Sequence, residues 1–236
     1  MLWFMSSIPT VLIPGLLCTP RLYAEQLPAL WRHGPVTVAS HRDDDTMAAI
    51  ADRILATAPP RFALVGLSMG GYLAFEVIRQ ARQRVERLAL LNTSARPDTA
   101  DKTKGRQDQV AMAGDGRFAE VVDLLAGRWL SAARRDDPEL LRVIRQMADE
   151  SGIETFARQQ HAIMTRPDSR PGLAAIGCPT LVLAGAEDEI IAPEHAQEIA
   201  AGIPHARLVT LPGCGHLSTL EQPAAVTAAL VGWLSA

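Results

Sequence analysis

A single serine stands between two glycines in residues 66–70, which read Gly-Leu-Ser-Met-Gly. An apolar run typical of a strand, 62–67, leads into this stretch, and a helical pattern begins near Tyr72. At such a junction the glycines let strand and helix approach closely, while Ser68 takes a strained conformation that presents its hydroxyl. A chance match is the alternative, but the position at the junction favours a nucleophilic serine.

A serine hydroxyl needs a neighbouring base before it becomes an effective nucleophile, and histidine is the usual one. His216 is the candidate by position, since it follows a predicted strand and its loop, Pro-Gly-Cys-Gly-His, has glycines that free the backbone. His205 lies at the wrong end of the same strand. The remaining histidines are interpreted as surface or packing residues: His33, His41, His161 and His195.

The base in turn needs a carboxylate that orients its ring, expected at the end of the preceding strand. The strand predicted over 180–184 runs into three consecutive acids at 187–189. Spacing favours Asp188, the fourth residue of a Gly-x-x-Asp turn before a helix that starts with proline. The three acids could equally form a solvated loop or a charged helix start. The predicted order along the chain is Ser68, Asp188, His216.

Attack of a hydroxyl on a carbonyl creates an oxyanion, which fixed N–H groups must stabilise. The Met69 amide lies at the predicted start of a helix, where backbone N–H groups lack partners. The second donor is predicted in the loop after the first strand, where Gly15 permits a tight turn. Leu16 is the preferred donor there and Leu17 the alternative. Together these groups would transfer an acyl group to water through an acyl-enzyme.

The elements that must position these residues alternate between short apolar runs and longer helical patterns. The predicted strands are 10–14, 36–40, 62–67, 87–92, 180–184 and 207–211. Their near-continuous hydrophobicity predicts burial on both faces, as in a parallel sheet covered by helices. Helices are predicted between them at 23–31, 46–58, 69–83, 193–201 and 223–234. The class is therefore α/β.

One long segment interrupts this alternation. Between Asn92 and Cys178 the sequence predicts helices and no strand, at 98–113, 117–129, 138–150 and 153–165. We therefore predict a core domain formed by residues 1–94 and 173–236, and a helical cap formed by residues 95–172, inserted after the fourth strand.

Four stretches, taken in order, carry a resemblance: VLIPGLL, VGLSMGGYLA, CPTLVLAGAEDEIIAP and LPGCGHLSTLEQP. They resemble the α/β-hydrolase superfamily, especially its small carboxylesterase, enol-lactonase and carbon–carbon hydrolase branch, over nearly the whole chain. The resemblance implies Ser68 as nucleophile, Asp188 as acid and His216 as base, with Leu16 and Met69 as oxyanion donors. It also implies that the helical segment caps the catalytic groups.

The chain departs from the superfamily pattern at two places. Many members have His-Gly where this chain has Pro14-Gly15, so a histidine that supports the oxyanion loop is missing there. Most members also begin with a two-stranded antiparallel hairpin, whereas few residues precede the first predicted strand here. We therefore predict a truncated sheet that is mostly or wholly parallel.

The substrate is predicted from the expected pocket wall. Leu16, Leu17 and Met69 would form an apolar floor, and the cap would add apolar side chains from Met112, Trp129, Met147 and Met164. Of these we single out Leu17, Trp129 and Met164 as substrate-binding residues. Acidic and basic residues balance between positions 95 and 172, which predicts no highly charged substrate. The expected substrate is a small or medium, largely apolar carboxylic ester or lactone.

The same residue types also serve other functions. Carbon–carbon bond hydrolysis, perhydrolysis as in cofactor-free haloperoxidases and acyl transfer to another acceptor all use this set of groups. Some proteins of this fold sense a small molecule without turning it over, and a purely structural role is the third class. Product chemistry separates the enzymatic alternatives, and covalent labelling of the serine separates an enzyme from a sensor.

Bulk properties exclude several classes of partner. A net charge of −3, with 21% charged residues of both signs, provides no basic surface for nucleic acid or acidic membranes. The three cysteines, Cys18, Cys178 and Cys214, have no Cys-x-x-Cys spacing, so we predict reduced thiols. Because the sequence contains no His-Glu-x-x-His motif and no Cys/His ligand cluster, we predict neither a metal nor an organic cofactor. The apolar start, MLWFMSSIP, lacks a basic leader, and no apolar run approaches the roughly 20 residues that span a bilayer, so we predict a soluble cytoplasmic protein. Within it, Met1–Met5 is a candidate cover for a sheet edge or a partner. Oligomeric state is left open.

Overall fold

The computed structural model describes residues 8–236, and within that range it contains one sheet of six strands. The strands are β1 (Thr10–Ile13), β2 (Val36–Val38), β3 (Phe62–Leu67), β4 (Val85–Leu91), β5 (Thr180–Gly185) and β6 (Arg207–Leu211). All neighbours are parallel, in the order β2-β1-β3-β4-β5-β6. The predicted truncated, parallel α/β sheet is confirmed. The predicted role of Met1–Met5 lies outside the described residues.

The strand register aligns the carboxyl ends at which the candidate residues sit. Ile13 pairs with Gly66, and Leu91 pairs with both Leu67 and Leu183. The loops after β1, β3, β4 and β5 therefore open at one edge of the sheet, where open α/β folds bind their ligands.

The prediction that the strands are buried on both faces is confirmed for the central strands and is wrong for the two edge strands, β2 and β6. Every residue of β1, β3 and β5 is buried. In β6 only Leu211 is buried, and β2 is half-buried or exposed throughout. An edge strand has a neighbour on one side only, so apolar character in a short segment does not by itself secure burial.

Helices of the core cover the two faces of this sheet. They are α1 (Leu27–Leu30), α2 (Met47–Thr57) and α3 (Met69–Ala81), and later in the chain Glu194–Gly202, Ser218–Glu221 and Pro223–Ser235. The predicted helix at 23–31 is instead a 3₁₀ turn at Pro20–Tyr23 followed by the four-residue α1. Pro28 has no amide hydrogen to donate to the preceding turn, so a continuous helix cannot form there.

The cap consists of four helices between β4 and β5. They are α4 (Ala100–Met112), α5 (Phe118–Trp129), α6 (Pro138–Ser151) and α7 (Ile153–Met164). A π-helical turn, Ala113–Arg117, joins α4 to α5, and Gly116 takes a φ of +83° where the two axes diverge. The predicted insertion after the fourth strand is confirmed, and the domain limits at 94/95 and 172/173 stay predictions.

Cap and core share one cluster of buried apolar side chains, which runs from Leu64 in the sheet to Leu125 and Phe156 in the cap.

The three helices that follow the cap are numbered α8 (Glu194–Gly202), α9 (Ser218–Glu221) and α10 (Pro223–Ser235). Among residues 8–236, no helix is both long and apolar enough to cross a membrane.

Candidate active site

Ser68 occupies a strained turn between β3 and α3. Its φ of +57° and ψ of −114° are unfavourable for a residue with a side chain. Close packing on both sides enforces the turn, because a Cβ on Gly66 would collide with the Gly70 carbonyl and one on Gly70 with the Ile13 carbonyl. The Thr93 hydroxyl also donates to the Ser68 carbonyl at 2.8 Å. These contacts direct Ser68 toward the cavity above the sheet edge.

The three residues singled out for acyl transfer meet in one hydrogen-bonded chain. The Ser68 Oγ lies 2.9 Å from His216 Nε2, and His216 Nδ1 lies 2.8 Å from Asp188 Oδ2. With Asp188 ionised, Nδ1 carries the proton and donates to the carboxylate, which leaves the Nε2 lone pair to accept the serine O–H. All three side chains are buried.

Asp188 is held in the ionised form by four donors. Burial raises its pKa, but the His216 ring, the Ile190 and Ile191 amides at 2.9 Å and the Asn92 amide at 3.0 Å outweigh that effect. The pKa of Asp188 therefore lies below its ordinary value. Glu187 and Glu189, the neighbouring acids, are exposed and contact neither the serine nor the histidine.

The histidine loop is attached to the cap. The His216 and Leu217 amides donate to the Trp129 carbonyl at 2.9 and 3.1 Å, at the end of α5. The buried Glu221 carboxylate accepts from the Gly215 amide at 2.9 Å and the Ser131 amide at 2.8 Å. Sequence reasoning missed Glu221 and Asn92, since no local pattern distinguishes them from surface residues.

The loop after β1 presents the Leu16 amide without an acceptor. Neither Leu16 nor Met69 donates its amide proton to any residue within 8–236. The Leu17 amide, in contrast, donates to Gln159 Oε1 at 2.9 Å. Leu17 is therefore excluded as the alternative oxyanion donor, because its only N–H group is already bound to the cap.

His41 supports this loop from the neighbouring strand end. Its Nε2 lies 2.9 Å from the Gly15 carbonyl, and burial, reinforced by Arg42 and opposed by that hydrogen bond, lowers its pKa to about 4. The neutral ring therefore donates to Gly15. Because the Gly15 carbonyl and the Leu16 N–H belong to one planar peptide, this bond also orients the Leu16 amide. The interpretation of His41 as a plain surface or packing residue was incomplete.

A cavity of about 570 Å³ opens beside Ser68 and His216. Trp129 lines it, as do Leu16, Cys18 and Ile163. Two predicted substrate-binding residues, Leu17 and Met164, do not line it, nor do Met69, Met112 and Met147. Leu17 has a φ of +57° that turns its side chain into the core. On α7, Ile163 occupies the cavity-facing position, and Met164 is rotated about 100° away from it.

The cavity wall is more charged than the sequence count suggested. Five cationic residues line it, namely Arg96, Lys102, Arg106, Arg128 and Arg166, against two carboxylates, Asp98 and Asp101. The other acids of 95–172 lie elsewhere. A balance of charges along the chain thus conceals their separation in space, and this part of the wall carries charges that the count over 95–172 did not predict.

The sequence profile of the Alpha/beta hydrolase family matches residues 10–230. The chain belongs to the alpha/beta hydrolase family. A Thermogutta terrifontis esterase solved with malate bound is 31% identical, with a TM-score of 0.88 over 97% of this chain and 89% of that one. An enol-lactonase from Burkholderia xenovorans LB400 is 27% identical, with a TM-score of 0.86 over 98% and 92%.

A further similar protein is also an ester hydrolase. A pimeloyl-(acyl-carrier protein) methyl ester esterase from Nitrosomonas europaea is 28% identical over 186 residues, which cover 76% of this chain and 72% of that protein. This alpha/beta hydrolase is therefore an enzyme with hydrolase activity, as predicted. No group of metal-ligating side chains occurs among residues 8–236. That the reaction needs neither metal nor organic cofactor stays a prediction.

Proposed function

We propose that this hydrolase cleaves a small or medium carboxylic ester or lactone, with Ser68 as nucleophile, His216 as base and Asp188 as the orienting acid. The unbroken hydrogen-bonded chain from the serine through the imidazole to the carboxylate carries the proposal. The strained turn at Ser68 supports it, because backbone strain of this kind is concentrated at functional sites.

The first half-reaction acylates the serine. As the Ser68 Oγ bonds to the substrate carbonyl carbon, its proton passes to His216 Nε2, and the Leu16 and Met69 amides donate to the resulting oxyanion. Asp188 stabilises the imidazolium without taking its proton. The carbonyl–alkoxy bond then breaks, and His216 returns the proton to the leaving oxygen.

The second half-reaction releases the acid. A water molecule gives a proton to His216 as its oxygen bonds to the acyl carbon, and the same amides stabilise the second oxyanion. Collapse of this intermediate breaks the bond to Ser68 Oγ, which recovers its proton from His216.

Residues 95–172 act in this proposal as a cap over a small-molecule substrate. The proposed location is the cytoplasm, in keeping with the three free cysteines.

Hydrolysis of p-nitrophenyl acetate and butyrate tests the proposal. We expect Ser68→Ala and His216→Ala each to lower kcat at least about a thousandfold, as in comparable triads. Ser235→Ala, at the exposed end of α10, is the matched control and should retain full activity. If the folded protein hydrolyses no ester, lactone or carbon–carbon substrate, the hypothesis of a non-catalytic small-molecule sensor would be favoured instead.

A further inference from the structure

One side of the cavity is built from a buried, unequally charged cluster. Asp98 Oδ2 accepts from Arg106 Nε at 2.6 Å, and its Oδ1 lies 2.7 Å from Arg166 Nη1. The Asp98 and Arg166 side chains are only 1% and 6% exposed. One carboxylate thus faces two guanidiniums, so the trio carries one surplus positive charge in a setting where an unpaired charge is costly.

The two guanidiniums are held in place by further contacts. Arg166 Nε donates to the Arg96 carbonyl at 3.1 Å, and its Cζ lies 4.1 Å from the centre of the Tyr72 ring. Arg106 Nη1 donates to Gln160 Oε1 at 2.8 Å. The Nη2 group of each guanidinium has no acceptor among residues 8–236. Both residues line the cavity.

Lys102 adds a third cation at the open rim of the same wall. Among the residues that the structure describes, no carboxylate pairs with Lys102, and partial burial lowers its pKa. Lys104, two positions along α4, lies outside the cavity and pairs with Asp108. The two lysines of one helix therefore have different environments, and only Lys102 faces the cavity.

A neutral histidine completes this wall. The Ser94 Oγ lies 3.0 Å from His195 Nδ1 and accepts from the Arg96 amide at 3.1 Å. When the Ser94 hydroxyl proton points at Nδ1, the neutral ring carries its own proton on Nε2. Burial, Lys102 and Arg96 lower the pKa of His195. In that tautomer the wall offers a further N–H donor, and its only carboxylates within residues 8–236 are Asp98 and Asp101.

We propose that this wall, formed by Arg106, Arg166, Lys102 and His195, binds a carboxylate of the substrate remote from the bond that is cleaved. This inference rests on the proposed ester hydrolysis at Ser68 and names the substrate class more narrowly: half-esters or lactones that bear a free acid. A carboxylate has the single negative charge that the trio lacks, and its oxygens can accept from the remaining Nη2 groups.

Matched pairs of methyl esters test the proposal. Each pair consists of the methyl half-ester of a dicarboxylic acid, from succinate to adipate, and the same molecule with the acid replaced by a primary amide. Shape is kept while charge is removed. At one chain length or more, we expect kcat/KM for the acid to exceed that for the amide by at least about tenfold. Equal or better hydrolysis of the amide at every length would overturn the proposal.

Lysine variants locate the effect. Lys102→Gln should lower kcat/KM for the acid several-fold more than kcat/KM for the amide. Lys104→Gln should retain the wild-type preference, because Lys104 lies outside the cavity. Loss of the preference in Lys104→Gln, or an equal loss on acid and amide in Lys102→Gln, would contradict the assignment of this wall.

Calorimetry with Ser68→Ala separates this inference from the proposed chemistry. That variant cannot form the acyl-enzyme, yet it should bind the half-ester and not the amide. Such binding supports the carboxylate site even if another group performs the cleavage. Hydrolysis that depends on Ser68 together with no difference in binding would keep the proposed function and overturn the carboxylate site.

Discussion

His41 influences the candidate site through a backbone carbonyl. The ring donates to Gly15, and the same peptide carries the Leu16 N–H proposed to stabilise the oxyanion. The sequence showed only that a histidine was missing beside Gly15 in the loop itself. The substitute comes from the end of β2, which lies beside β1 in the sheet, so strand order was needed to find it.

Replacing His41 should therefore act on the chemical step. In His41→Ala we expect kcat for an ester to fall about tenfold while KM changes little, because the oxyanion forms only in the transition state. His41→Gln keeps an N–H donor and should recover part of the loss. His161→Ala, on the exposed face of α7, is the control. A rise in KM at unchanged kcat would contradict a positioning role.

At the scale of elements, the turn between β3 and α3 depends on close contacts at three glycines. A Cβ at Gly66 or Gly70 would meet backbone atoms, and one at Gly71 would meet the Thr93 side chain. Packing of α3 on β1 and β3 at this distance directs Ser68 toward the cavity. The Gly-x-Ser-x-Gly pattern predicted the turn correctly, because a local backbone requirement leaves a local signature.

Gly70→Ala tests that contact. The added methyl would meet the Ile13 and Pro14 carbonyls, so we expect the free energy of unfolding to fall by about 3 kcal/mol or more in urea titrations. Gly127→Ala, within α5 and with open space at its Cβ, should instead be neutral or stabilising by up to about 1 kcal/mol. Equal stability of the two variants would show that the turn tolerates expansion.

Other elements show why prediction failed in places. The apolar runs predict all six strands. They do not predict that β6 is exposed, because its place at the sheet edge depends on the order of the strands in the folded sheet. Helical periodicity correctly predicts α7, but it does not show whether Ile163 or Met164 lines the cavity, because that depends on how α7 is rotated against its neighbours. Local patterns thus predict helices and strands but not their orientation.

At the scale of the whole molecule, the distribution of charge decides the character of the cavity. The equal number of acidic and basic residues over 95–172 predicts no net electrostatic field that would attract a charged substrate. Folding places Arg106, Arg166 and Lys102 on one wall, and spreads Glu120, Asp123 and other acids over the outer surface. A net charge is a property of composition, while a binding site depends on position.

Stability of the whole fold should depend on His41 in weak acid. Its pKa is about 4 in the folded state and 6.5 ordinarily, so the unfolded chain binds an extra proton between these values. Stability contributed by the neutral ring is therefore lost as pH falls from 6.5 to 4, by up to about 3 kcal/mol.

Urea titrations of wild type and His41→Gln at several pH values measure this effect. Carboxylates with lowered pKa values also lose stabilisation in acid, but they are common to both proteins. The stability difference between the two should shrink as pH falls from 6.5 to 4. A difference that stays constant over this range would show that His41 is not held neutral by burial.

The central claim is that Ser68 is an activated nucleophile. The most direct measurement is reaction with a fluorophosphonate, followed by mass spectrometry of the digested protein. We predict one adduct per chain, on the peptide that contains Ser68, formed rapidly in wild type, slowly in His216→Ala and not at all in Ser68→Ala. Folded wild-type protein that remains unmodified, or an adduct on another serine, would contradict the account.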